Sequence, residues 1–102
     1  MYGLIVKLTV LPGTREKMVS ILKASASYMP GCLSYVVAED STDQNVLWVT
    51  EVWDSQASHD ASLSLAAVKS AVPQSKAIVS NFERISVTNP VWGVGLTATG
   101  RE

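Results

Sequence analysis

The chain is poor in cysteine, in histidine and in charge. Cys32 is its one cysteine, which excludes an internal disulfide and a thiolate metal cluster and fits a reducing compartment. The single histidine, His59, has no neighbours at metal-ligand spacing. Charged residues make up 17% of the 102 positions, and the eight Lys and Arg are scattered singly from Lys7 to Arg101. With a formal net charge of −1 and a pI near 5.7, the chain has no basic stripe for nucleic acid or an anionic membrane. Long apolar runs are also missing. Lys7 and Thr9 interrupt the N-terminal apolar stretch, no charged leader precedes it, and nothing is long enough to cross a bilayer. The expectation is a soluble, cytoplasmic protein.

The chain is rich in apolar residues, at 47%. That composition folds, and the length allows one thin domain. A lone chain of this size buries only about 60–65% of its surface, so an oligomer is expected. Tyr2 to Leu11 alternates, with Leu4, Val6, Leu8 and Val10 on one face of a half-buried strand. Pro12-Gly13 ends it and Thr14 can cap a helix over Arg15 to Met29, whose stripe is Met18, Leu22, Ala26 and Met29. Pro30-Gly31 stops that helix. Leu33 to Ala38 reads as the second strand, Ser41 to Asn45 as a polar turn and Val46 to Trp53 as the third strand, mostly apolar on both faces. Asp54 or Ser55 can cap a second helix running to about Ala71 through Ala57, Ala61, Leu65, Val68 and Val72, with Pro73 as its stop. Ala77 to Thr88 is the last strand, in which the opposite parity of Phe82 and Ile85 implies a bulge or a slipped boundary.

This order is βαββαβ, an α+β, ferredoxin-like arrangement with a four-stranded antiparallel sheet and both helices on one face. Ile5, the two-faced third strand and the apolar segment Val91 to Leu96 imply that the other face is covered, most simply by a second copy in a homodimer. Residues 1–96 are expected to form the single domain, with residues 91–96 able to cross to the partner and residues 97–102 a flexible C-terminus.

Pro12-Gly13, the run Pro30-Gly31-Cys32-Leu33-Ser34-Tyr35 and the run Glu51-Val52-Trp53-Asp54-Ser55 resemble the antibiotic biosynthesis monooxygenase (ABM) family, which includes small quinol monooxygenases. The resemblance spans roughly Tyr2 to Thr88. It implies a dimeric α+β barrel and a cofactor-independent monooxygenase that oxidises a small phenolic or hydroquinone-type aromatic with O2. Relatives on the same scaffold also suggest two alternatives: an isomerase acting on a small hydroxyketone, or a non-catalytic binding or stress-response protein. Many relatives carry a His eleven residues after the Glu of Glu-x-Trp, and here that position is Ser62. The haem-degrading branch uses an Asn on the first strand, where this chain offers Lys7 and Thr9.

The candidate catalytic residues are His59, Glu51 and Trp53, with Tyr35 and Phe82 for substrate. His59 is the natural proton acceptor, although helical geometry sets it nearly opposite the Ala61/Leu65/Val68 stripe, which favours a solvated or interface position. Glu51 lies among apolar neighbours, as a general base or acid would, or it forms an ion pair with Arg84 or a Lys. Trp53 can stack a flat substrate or pack the core. Tyr35 can donate to an oxyanion or merely pack, as most strand tyrosines do, and Phe82 is a core or pocket wall. Trp48 and Trp92 are assigned to core or dimer contacts, while Asn81 and Arg84 are left unassigned. Ser58-His59-Asp60 is not a triad, because consecutive helical side chains diverge by about 100°. Gly93-Val94-Gly95 lacks the helix of a nucleotide loop. Cys32 has no charged sequence neighbour and reads as a small apolar group.

Overall fold

A computed structural model describes residues 1–96. The elements are β1 (Tyr2–Val10), α1 (Arg15–Ser25), β2 (Cys32–Glu39), β3 (Val46–Trp53), α2 (Gln56–Ser62), α3 (Ala66–Lys76) and β4 (Val79–Thr88). The strands form one antiparallel sheet in the order β2-β3-β1-β4, which is the ferredoxin-like α+β topology.

The alternation in β1 sets the layers. Leu4, Val6, Leu8 and Val10 are each at most 5% exposed. Val6, Leu8 and Val10 cluster with Leu47 and Val49 of β3, Met18 and Ile21 of α1, and Ile78 just before β4. Opposed residues on neighbouring strands share a face. Two cross-strand rows on the core side therefore matter for the site: Tyr35–Glu51–Leu4–Val87 and Val37–Val49–Val6–Arg84. The parity conflict in β4 is resolved as a bulge. Ser86 pairs with Ile5 and Arg84 with Val6, so Ile85 is the extra, bulged residue.

The helices depart from the sequence reading. Instead of one helix to Ala71, two form, and Pro73 lies inside α3 rather than ending the helix. The break has a local cause. The N–H groups of Leu63, Ser64 and Leu65 donate three residues back, to Asp60, Ala61 and Ser62, which tightens the end of α2. Leu65 then turns extended and starts α3 afresh. The proposed apolar stripe is therefore cut: Ala57 and Ala61 are exposed, and Val72 is nearly half-exposed. α1 ends at Ser25, short of Met29, and the buried Ile21 joins Met18 in the core. Ser55 caps α2 by accepting from the Ser58 N–H at 3.1 Å. Thr14 precedes α1 but donates its hydroxyl to the Leu11 carbonyl instead, at 2.6 Å. Residues 97–102, expected to be flexible, lie outside the described residues.

On the sheet face away from the helices, the Trp48 indole N–H donates to Asp40 at 2.8 Å, and the Lys7 ammonium lies 5.7 Å from the Trp48 ring centroid. Asp40 also accepts from the backbone N–H groups of Thr42 and Asp43. These donors hold its carboxyl well below the usual carboxylate range, with Asp43 the largest cause and Trp48 next. No helix among the described residues is long and apolar enough to cross a membrane.

Candidate functional site

Between the sheet and the helices lies a cavity of about 650 Å³. That size suits a small organic ligand, since such sites run to roughly 300–1,000 Å³. β1 lays the floor with Leu4, Val6 and Leu8, and the helices supply Met18, Leu22 and Val68. Met29, just beyond α1, also reaches it.

Polar groups gather at one end. Glu51 and Trp53 are two apart on β3, and side chains at that spacing share a face. The Trp53 indole N–H donates to the Glu51 carboxylate at 2.9 Å. No ion pair forms with Arg84 or a Lys among the described residues; the indole is the partner of Glu51. Trp53 is 1% exposed and Glu51 half-buried, so the donor side of this bond is shielded from water. Across the strand pair, Tyr35 stands opposite Glu51. Burial first, and then the negative charge of Glu51, push the Tyr35 phenol above its usual range. Tyr35 is therefore a protonated hydroxyl donor at neutral pH. Burial also raises the Cys32 thiol, against a weak bond from its sulfur to the Ser34 carbonyl.

His59 differs from the helical-wheel expectation. It is 9% exposed and lines the cavity. Its ring sits edge-on to Trp53 at 5.5 Å between centroids and tilted against Tyr2 at 5.4 Å. Packing against Tyr2 and Trp53, which a helical wheel does not show, buries the ring. Nδ1 of His59 lies 3.1 Å from the Asp60 carboxylate, which favours a proton on Nδ1 and leaves Nε2 as the acceptor nitrogen. Adjacent helical side chains do meet here, but Ser58 turns away to Ser55, so no triad exists. Ser62, at the position where relatives carry His, is buried and donates to the His59 carbonyl at 2.6 Å.

Phe82 is 60% exposed and forms a wall of the cavity, not core. Sequence reasoning missed Tyr2, Asp60 and Lys76. Tyr2 is opposite Trp53 in the β1–β3 register, a pairing that no local pattern reveals. Trp92 is 71% exposed. Among the described residues, no three His, Cys, Asp or Glu side chains cluster as metal ligands.

The family model for antibiotic biosynthesis monooxygenase matches residues 1–74. The chain belongs to this family. A solved structure from Chloroflexus aurantiacus, whose name places it in the same family, is 48% identical, with 90% of this chain and 94% of that one covered and a TM-score of 0.87. A protein from Pseudomonas aeruginosa, at 20% identity, covers 89% of this chain and 94% of its own with a TM-score of 0.78. One from Nitrosomonas europaea, at 12% identity, covers 90% and 100% with a TM-score of 0.81. These last two likenesses concern the fold. No curated protein matches the chain. The ABM match takes in β1 through most of α3, and so includes Tyr35, Glu51, Trp53 and His59; Phe82 and Arg84 on β4 lie beyond it.

Proposed function

We propose that this ABM protein is a cofactor-independent monooxygenase that oxidises a small phenolic or hydroquinone-type aromatic with O2. The observation that carries the reading is one polar end of the cavity, where a protonated Tyr35, an indole-bound Glu51 and a His59 with an acceptor nitrogen line one space above an aliphatic floor. A phenol bound there is desolvated and oriented, so little further protein chemistry is needed. His59 takes the phenolic proton. The electron-rich phenolate passes an electron to O2, and recombination gives a ring peroxide. Loss of water leaves a quinone. For a hydroquinone the balance is substrate plus O2 to hydroxyquinone plus water: one oxygen atom enters the ring, and the four electrons that reduce O2 come from the substrate. Tyr35 donates to the developing oxyanion, Glu51 keeps Tyr35 protonated, Trp53 fixes Glu51 and walls the polar end, and Phe82 walls the far end.

The same reading includes a homodimer in the cytoplasm. Val36 on the outer sheet face is 50% exposed, and Val91 and Val94 are about nine-tenths exposed, which supports a second copy covering this surface, with residues 91–96 reaching across.

The test is oxygen uptake by purified, metal-stripped protein with hydroquinones, anthrones and catechols, without flavin or nicotinamide and with autoxidation subtracted. The expected result is protein-dependent uptake in step with quinone formation, lost in His59→Ala and reduced in Glu51→Gln. Tight aromatic binding without uptake points instead to a binding protein. Neither binding nor uptake turns attention to the isomerase class.

A further inference from the structure

The far side of the cavity carries cations that nothing described neutralises. Arg84 and Lys76 both line it. Among the described residues, Arg15 pairs with Glu39 and the His59 ring is hydrogen-bonded to Asp60, and neither Arg84 nor Lys76 takes part in an ion pair. The neighbouring polar groups are already engaged: the Ser80 hydroxyl donates to the Thr9 carbonyl and the Asn81 amide to Glu83. Arg84 stands opposite Val6, so its guanidinium leaves the sheet on the helix side, over an aliphatic floor. Phe82, opposite Leu8, presents an exposed ring beside it on the same face.

Glu51 belongs to the adjacent row and lies two strands away. With strands about 4.8 Å apart and about 3.4 Å per residue, the Cα atoms of Arg84 and Glu51 are roughly 12 Å apart. After both side chains extend inward, one or two aromatic rings fit between them. The cavity thus has opposite polarity at its ends: a carboxylate beside a phenol donor at one, a fork-shaped cation at the other.

We propose that this cavity selects an aromatic bearing a carboxylate, with the carboxylate held by Arg84 and flanked by Lys76, and with the phenolic end at Tyr35 and Glu51. A guanidinium matches a planar carboxylate through two parallel N–H bonds. Lys76 stands in the last turn of α3, where its charge offsets the negative end of the helix dipole. The orientation of the ligand rests on the proposed function; the preference for charge does not.

The experiment measures binding of 2,5-dihydroxybenzoate and its methyl ester without oxygen, by calorimetry and tryptophan quenching, and separately their oxygen uptake. The acid is expected to bind about tenfold more tightly than the ester, the discrimination that one charge-assisted pair supplies. Arg84→Gln should erase that preference and leave ester affinity within about twofold, and Lys76→Gln should reduce it in part. Rising salt should weaken the acid alone. Equal affinities, preference for the ester, equal loss of both ligands in Arg84→Gln, or no binding of either would overturn the inference. A charge preference without oxygen uptake would uphold it while refuting the monooxygenase reading, and uptake without a charge preference would do the reverse.

Discussion

Replacing Trp53 with Phe probes the bond on which the polar end of the cavity is built. The indole N–H donates to Glu51 at 2.9 Å from a side chain only 1% exposed. A hydrogen bond to a charged group contributes about 1.5–3 kcal/mol, and its loss leaves the carboxylate without that donor. The smaller ring also leaves a void in a packed wall, which adds about 1 kcal/mol. Trp53→Phe should therefore cost about 3 kcal/mol, which for a domain of this size lowers Tm by roughly 12 °C. A double-mutant cycle separates the two contributions. Trp53→Phe, Glu51→Ala and the double variant, compared by urea unfolding, should show a coupling of at least about 1 kcal/mol, because removal of Glu51 first makes loss of the indole N–H inconsequential. Additivity within about 0.3 kcal/mol would refute the assignment of the indole as the partner that holds Glu51.

Other perturbations test the surrounding structure. Gly31 has φ +86°, and a Cβ there would lie 2.6 Å from Ser58 at the start of α2; Gly31→Ala should lower stability by at least about 2 kcal/mol in thermal melts, and an unchanged Tm would contradict the packing of α2 on this loop. Tyr35 has a folded-state pKa above its unfolded one, so its contribution to stability is complete below about pH 10 and declines as pH rises beyond that; alkaline denaturation should be blunted in Tyr35→Phe, and identical pH profiles would refute the burial of the phenol. Asp40 is shifted the other way: its contribution is present above pH 3.8, its ordinary value, and is lost as pH falls further. Asp40→Asn should therefore narrow the gap between urea midpoints at pH 7 and pH 3, and an unaltered gap would show that the turn and Trp48 do not hold the charge. Cys32, with its thiol raised by burial, should react with iodoacetamide more slowly than a free thiol at pH 7, and a rate equal to that of a small-molecule thiol would contradict its environment.

The strands were legible in the sequence because their signals are local. Alternation in β1 placed Leu4, Val6, Leu8 and Val10 on the buried face, β3 was bounded by a polar turn and by Asp54-Ser55, and the parity conflict between Phe82 and Ile85 marked the bulge. The motifs around Pro30-Gly31-Cys32 and Glu51-Val52-Trp53 likewise pointed to the ABM family that the comparison identifies. The helical half was less legible. Apolar spacing from Ala57 to Val72 fits one helix, and only the three-residue-back bonds at Leu63 to Leu65 break it. The burial of His59 rests on Tyr2 and Trp53, contacts that apolar spacing along one helix does not reveal.

The site divides in the same way. Glu51 and Trp53 share a face by strand periodicity, which the sequence alone determines. The meeting of Tyr2 with His59, the pairing of Tyr35 with Glu51 and the placement of Arg84 over Val6 depend on register between segments far apart in the chain. Sequence spacing carries the period of each element, but only closure of the sheet fixes which rows coincide, and those rows set the opposite charges of the cavity 's two ends.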